Sequence, residues 1–360
     1  MASLPPDLQS RPDIKATDDI RTHYSITDDA AAVSWILTMR PPTTPCADIC
    51  PVTTGMDCLL VVLGHIYSLA MTGKDGLAHQ DWFKEAESRN AILRFAWRVF
   101  GDFGLEHEDA SKDKAKFLDQ ISFSKDSFLS ICSSDFMNTT FWSQTPFLLF
   151  QTKFSLSQEP DARPPQEMSP ATSIIDLNLR VLPDATLQQA VDRVAGFRIE
   201  NAVYTTSTPH IIRVQYTPGV TRLNFQALRQ FYLFPVEISA GQGGDKGRSL
   251  HTRQVRYALV AVVRLRFHRE EEDSVRTYDP CGFGIFPDCE PLDFMLFFSR
   301  ADDKQLDPEW PELSGPPPRL DPGLEQLLED TLSDAAGLPR TQIPDKRTMF
   351  PVSPAPPAGP

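Results

Sequence analysis

The spacing of apolar residues changes once along this chain of 360 residues, and that change limits what it can fold into. From about residue 56 to 150 the pattern is helical. The run Leu59 to Met71, interrupted by Gly64 and His65, is shorter than the roughly 20 residues of a membrane span and predicts a buried helix. Between Gln80 and Phe103, Trp82, Phe83, Ala86, Ile92, Leu93, Ala96 and Trp97 recur near a 3.6-residue period and predict one further helix. Phe154 to Thr172 holds Pro160, Pro164, Pro165 and Pro170 and predicts a loop. Beyond it the period becomes two. Strands are expected at Ile174 to Val181, His210 to Tyr216, Phe231 to Ile238, Tyr257 to Phe267, Val275 to Asp279 and Phe294 to Ser299. Helices followed by antiparallel strands predict an α+β fold, with an α-rich N-terminal half and an antiparallel β-rich C-terminal half.

The ends differ in composition from the middle. Thirteen of the 32 prolines follow residue 300, and residues 301–360 hold 5 basic against 11 acidic side chains, so 306–360 is expected to be a mostly disordered acidic tail. Within it, Leu324, Leu327, Leu328 and Leu332 fall on one face of a short helix that could dock in a groove or simply fray. Residues 1–29 are polar and expected to be disordered, leaving 30–305 as the folded domain. The chain carries 35 basic and 48 acidic residues, a net charge of −13, which argues against a nucleic-acid partner. Six cysteines are too few for a disulfide scaffold, and no signal-like or membrane-spanning segment is read, so a cytoplasmic or nuclear protein without membrane attachment is expected. Cys46, Cys50, Cys281 and Cys289 lack the paired spacing of a zinc ribbon; no metal or other cofactor is expected.

Several stretches, in this order, resemble the ubiquitin-specific protease family. Gly55-Met56-Asp57-Cys58 before an apolar helix resembles the family's cysteine box. Ile174 to Leu179 with Ala185 to Asp192 resembles the strand and short helix that begin the ubiquitin-contacting part. Thr208 to Tyr216, Phe234 to Ile238, Tyr257 to Val263 and Leu292 to Arg300 resemble the strands that follow. The resemblance spans about 250 residues and implies a papain-like cysteine protease fold. It implies a thiol hydrolase acting in deubiquitination, with ubiquitin or ubiquitin-conjugated proteins as partners. The alternative it leaves is a non-catalytic module of the same fold that binds ubiquitin or another protein.

The resemblance assigns Cys58 as nucleophile, His268 as base and Asp279 as the group orienting it. A helix N-terminus favours a thiolate, which suits Cys58, but a buried core thiol is the other common fate of cysteine. His268 stands beside the charge run Arg269 to Asp273, which reads equally as a solvated hairpin turn; His251 is a second candidate. The boxes also depart from the family. Thr53 and Thr54 stand where an oxyanion-stabilising amide is usual, Leu59-Leu60-Val61-Val62 replaces the polar residues after the cysteine, and the Gly-His-Tyr turn is missing. Hydrolysis, if retained, is expected to be weak.

Overall fold

The computed structural model describes residues 18–38, 54–98, 107–121, 127–149, 151–155, 173–194, 198–199, 202–220, 223–233, 235–240, 248–252, 254–266, 268, 271–278 and 293–301. The chain divides into two units, Met1–Gln305 and Leu306–Pro360, and all of these residues belong to the first. The acidic tail and its leucine-rich segment lie outside the described residues.

The helices are α1 (Ala30–Thr38), α2 (Thr54–Ala70), α3 (Asp81–Arg89), α4 (Ala91–Phe95), α5 (His107–Leu118), α6 (Phe128–Cys132), α7 (Asp135–Met137), α8 (Leu187–Val194) and α9 (Phe225–Leu228). The strands are β1 (Gln151–Ser155), β2 (Ile174–Asn178), β3 (Arg198–Ile199), β4 (Ala202–Thr206), β5 (Ile211–Thr217), β6 (Gln230–Leu233), β7 (Val236–Ala240), β8 (Arg248–Thr252), β9 (Val255–Arg264), β10 (Ser274–Thr277) and β11 (Phe294–Arg300). The fold is α+β, with seven of the nine α-helices among the described residues before residue 150. A six-stranded sheet runs β10-β9-β11-β5-β2, with β6 added to β9. None of these helices is long and apolar enough to cross a membrane.

The sheet separates two apolar cores because successive side chains on a strand face opposite ways. Along β11, Met295 and Phe297 join the helical core, whereas Phe294, Leu296 and Phe298 join the core under α8 and β6. The helical core centres on α2, which is buried on nearly every side and mostly apolar, with Asp57 and His65 buried in it as polar exceptions. Gly64 lets α1 approach it closely: a Cβ there would stand 3.1 Å from the Leu37 carbonyl oxygen. Tyr67 of α2 packs tilted against Trp97, with ring centroids 4.6 Å apart, and Phe141 packs tilted against Phe147 at 4.5 Å. Arg213 of β5 enters this core with its guanidinium 4.3 Å above the Trp142 ring. Burial pulls its pKa down, partly offset by the Cys132 thiol, and the ring face supplies a cation–π contact.

Five sequence expectations need correction. The single helix over 80–103 is broken at Asn90, fully buried, whose Oδ1 caps α4 by accepting from Ile92 N–H and whose Nδ2 donates to Thr140. A buried side-chain amide satisfied in that way fixes the break. The loop expected from Phe154 loses its first two residues to β1, since Phe154 and Ser155 pair with β4; residues 156–172 lie outside the described residues. The strand expected over 231–238 is two strands in different sheets, β6 on β9 and β7 on β8, separated at Pro235, which has no N–H to continue a ladder. The pairing of β2 with β5 is parallel, so the sheet is mixed rather than antiparallel. Finally, residues 18–29 are packed rather than disordered. Ile20 is fully buried with its N–H on the Trp97 carbonyl, and Arg21 bridges Asp19 and Glu87 at 2.7 and 2.8 Å.

Candidate functional site

The site expected from the sequence lies at the start of α2. The apolar run behind Gly55 forms the helix, and Cys58 is its fifth residue, one turn from the first, Thr54. Here α2 meets α5, α6 and the connection between β9 and β10; α5 and the connection each contribute a charged side chain, and α6 a backbone N–H. Lys114 of α5 grips both oxygens of Asp57, with Nζ 2.7 Å from Oδ1 and 2.8 Å from Oδ2, and both side chains are almost completely buried. Asp273, immediately before β10, has a fully buried carboxylate. Its Oδ2 accepts from the Phe128 N–H at the start of α6 (2.9 Å), and its Oδ1 accepts from the Arg266 N–H (3.0 Å). Its own N–H donates to Thr54 Oγ1 at 3.2 Å. One residue thus ties together two helix starts and a hairpin turn, its carboxylate reaching α6 and the hairpin and its N–H reaching α2.

These contacts set the chemistry available to Cys58. The residue is 2% exposed. Burial pushes its thiol pKa well up, and the carboxylates of Asp273 and Asp57 push it further. Each disfavours the thiolate, and together they override the helix-start field that would favour it. The arrangement holds a protonated thiol. Thr54, one of two candidates for an oxyanion donor, has its hydroxyl oxygen engaged by the Asp273 N–H; Thr53 lies outside the described residues.

The other assigned residues fare differently. His268 lies in the turn between β9 and β10, exposed, with its N–H 3.4 Å from Glu271 Oε2 and its carbonyl accepting from the Glu271 N–H. The hairpin that carries it docks on α2 through Asp273, yet the imidazole is solvent-facing while the thiol is enclosed. Asp279 lies outside the described residues; its neighbour Tyr278 is buried. His251 lies on β8, opposite Glu237 of β7, in a two-stranded ladder apart from the main sheet. Sequence reading missed two members of the site, Lys114 and Asp273, and a buried polar residue farther along α2. His65 is buried two turns along α2 from Cys58, with Nε2 2.7 Å from the Tyr278 carbonyl, so Nε2 carries the proton and donates. The spacing of seven between Cys58 and His65, which shares a helix face, was the available signal. Lys114 and Asp273 gave none, since each stands in a charged stretch that reads as solvated. No group of His, Cys, Asp and Glu suited to hold a metal ion occurs among the described residues.

A second surface faces outward beside β2. Leu179 N–H donates to the Thr217 carbonyl, and Arg180 Nε donates to that of Pro218 at 3.3 Å. The two loops so joined present Val181, Leu182 and Val220, at 70%, 41% and 106% exposure. Gly219 permits the join, because a Cβ there would lie 2.5 Å from the Leu179 carbonyl oxygen. A shallow groove lined by Leu182, Ala185, Gln189 and Arg193 continues from this patch. No protein-family model, no curated protein and no solved structure matches the chain.

Proposed function

We propose that this chain is a ubiquitin-specific protease-like module that binds ubiquitin or a related protein without cleaving it. The observation that carries the reading is the enclosed thiol of Cys58 set beside two carboxylates. A hydrolase of this type needs a thiolate within reach of an imidazole, and carboxylates beside the sulfur oppose that ionisation. The exposed apolar side chains Val181, Leu182 and Val220 support the binding half, since clustered surface apolar groups mark protein contacts. One observation favours the active hydrolase of the same family: the hairpin bearing His268 is anchored at the helix start bearing Cys58.

Titration of ubiquitin onto the purified chain, alongside a fluorogenic ubiquitin substrate, tests the reading. Saturable binding with no turnover is expected, and Cys58→Ala should leave binding unchanged. Val181→Asp and Leu182→Asp should each weaken binding about tenfold or more, as expected for apolar anchors in a contact. Turnover abolished by Cys58→Ala would restore the hydrolase, and absence of any binding would remove ubiquitin as the partner. The thiol itself gives a further expected result. Iodoacetamide at pH 7.5 should label Cys58 at least about 100-fold more slowly in the folded chain than in urea, because the free thiol is about a tenth ionised at that pH and the enclosed one far less. Site-resolved mass spectrometry reads the rate, and labelling as fast as in urea would contradict the enclosed, protonated thiol.

A further inference from the structure

The far edge of the six-stranded sheet carries two arginines on one face. β10 is its terminal strand, and the register pairs Ser274 with Arg264 and Arg276 with Val262. Ser274, Arg276 and Arg264 therefore share a face, with the two arginines diagonal to each other, about 7–8 Å apart by ordinary strand geometry. Both are half-buried. Arg264 donates from Nη2 to the Glu272 carbonyl at 3.4 Å, while its Nε is shielded from solvent with no acceptor. The Nη1 of Arg276 is shielded in the same way, and among the described residues no hydrogen bond or ion pair reaches its guanidinium. Among the described residues no neighbouring carboxylate pairs with either arginine. Asp273 serves Phe128, Arg266 and Thr54, Glu271 accepts from the His268 N–H, and Glu272 offers Arg264 its backbone carbonyl.

Two like charges on neighbouring strands repel, and shielded N–H groups without acceptors are unfavourable unless an anion satisfies them. We propose that Arg264 and Arg276 form a binding site for the carboxylates of an acidic protein segment lying extended along the β10 edge. Alternate residues of an extended chain are about 6.6 Å apart, close to the diagonal spacing of the two arginines. Two carboxylates on alternate residues match the spacing of the two strand positions. Guanidinium groups pair with carboxylates through parallel N–H bonds, which gives such a site geometric as well as charge selectivity. This inference rests on register and side-chain contacts alone, so it stands or falls separately from ubiquitin binding.

The test uses the full chain and a fluorescein-labelled peptide of alternating Glu and Thr, read by fluorescence anisotropy at low salt. Saturable binding is expected, weakened about tenfold or more by Arg276→Gln and by Arg264→Gln, and lost when Gln replaces every Glu of the peptide. On the unmutated chain, the peptide should also protect Arg264 and Arg276 from phenylglyoxal, measured residue by residue by mass spectrometry. That readout does not depend on how the variants fold. Absence of saturable binding, equal binding of the Gln peptide, unchanged binding in Arg276→Gln, or no protection would each overturn the site. Displacement of the peptide by inorganic phosphate at equal concentration would overturn the two-carboxylate geometry.

Discussion

Replacing Lys114 by methionine should lower the stability of the folded unit by about 3–5 kcal/mol, the usual consequence of leaving one partner of a buried ion pair alone. Lys114 Nζ holds both Asp57 oxygens within 2.8 Å, and the two side chains are 3% and 7% exposed. Without the ammonium, the Asp57 carboxylate would remain enclosed next to Cys58 and near the second carboxylate of Asp273. It would have to bind a proton or draw in water. At roughly 2–4 °C per kcal/mol for domains of 150–250 residues, the thermal midpoint should fall by on the order of 10 °C. The double variant Asp57→Leu/Lys114→Met should regain most of the loss, because replacing both charges by apolar groups of similar volume removes the unpaired charge as well as the attraction. Urea denaturation of the two singles and the double measures this. A change below about 1 kcal/mol for Lys114→Met would show that water reaches the pair and already screens it.

Much of the frame was legible because burial writes a period into sequence. The apolar run from Leu59 gave α2 and the position of Cys58 on it, and the short continuous apolar run Tyr257 to Val263, rich in Val, gave β9. The break at Asn90 was hidden, because the apolar period continues through it and what stops the helix is a side-chain amide satisfied by Thr140, 50 residues away. The parallel pairing of β2 with β5 was hidden for a similar reason: strand direction is a property of connections, and alternation is the same either way. At the site the difficulty was sharper. Arg269 to Asp273 reads as one solvated run, and Glu272, which is exposed, fits that reading. Asp273 is buried because the last residue before β10 turns inward onto the starts of α2 and α6. No local pattern marks one carboxylate in such a run as internal. Cys58 was found by its helix, but its electrostatic surroundings come from residues 1 and 215 positions away, which no local spacing encodes.

Asp273→Asn should then both destabilise the chain and sharpen the reactivity of Cys58. The buried carboxylate accepts two backbone N–H bonds from separate elements, each on a different oxygen. An amide keeps one acceptor and turns the other into a donor facing a donor, so one charge-assisted bond is lost outright. With such bonds worth about 1.5–3 kcal/mol and a buried N–H left unmet, a loss of roughly 3 kcal/mol or more is expected. The same change removes the larger of the two charge effects on the Cys58 thiol, so its pKa should come down while burial still holds it above the ordinary value. The two effects can be separated. A destabilised chain opens more often, which exposes any buried thiol regardless of charge. Comparing iodoacetamide labelling of Asp273→Asn with Lys114→Met at matched stability, set by urea, removes the opening contribution. Lys114→Met leaves the Asp273 carboxylate in place, so faster labelling in Asp273→Asn at equal stability is the expected sign that this carboxylate keeps the thiol protonated. Equal rates would mean that burial alone keeps Cys58 inert and that Asp273 serves only to fasten the hairpin to the two helix starts.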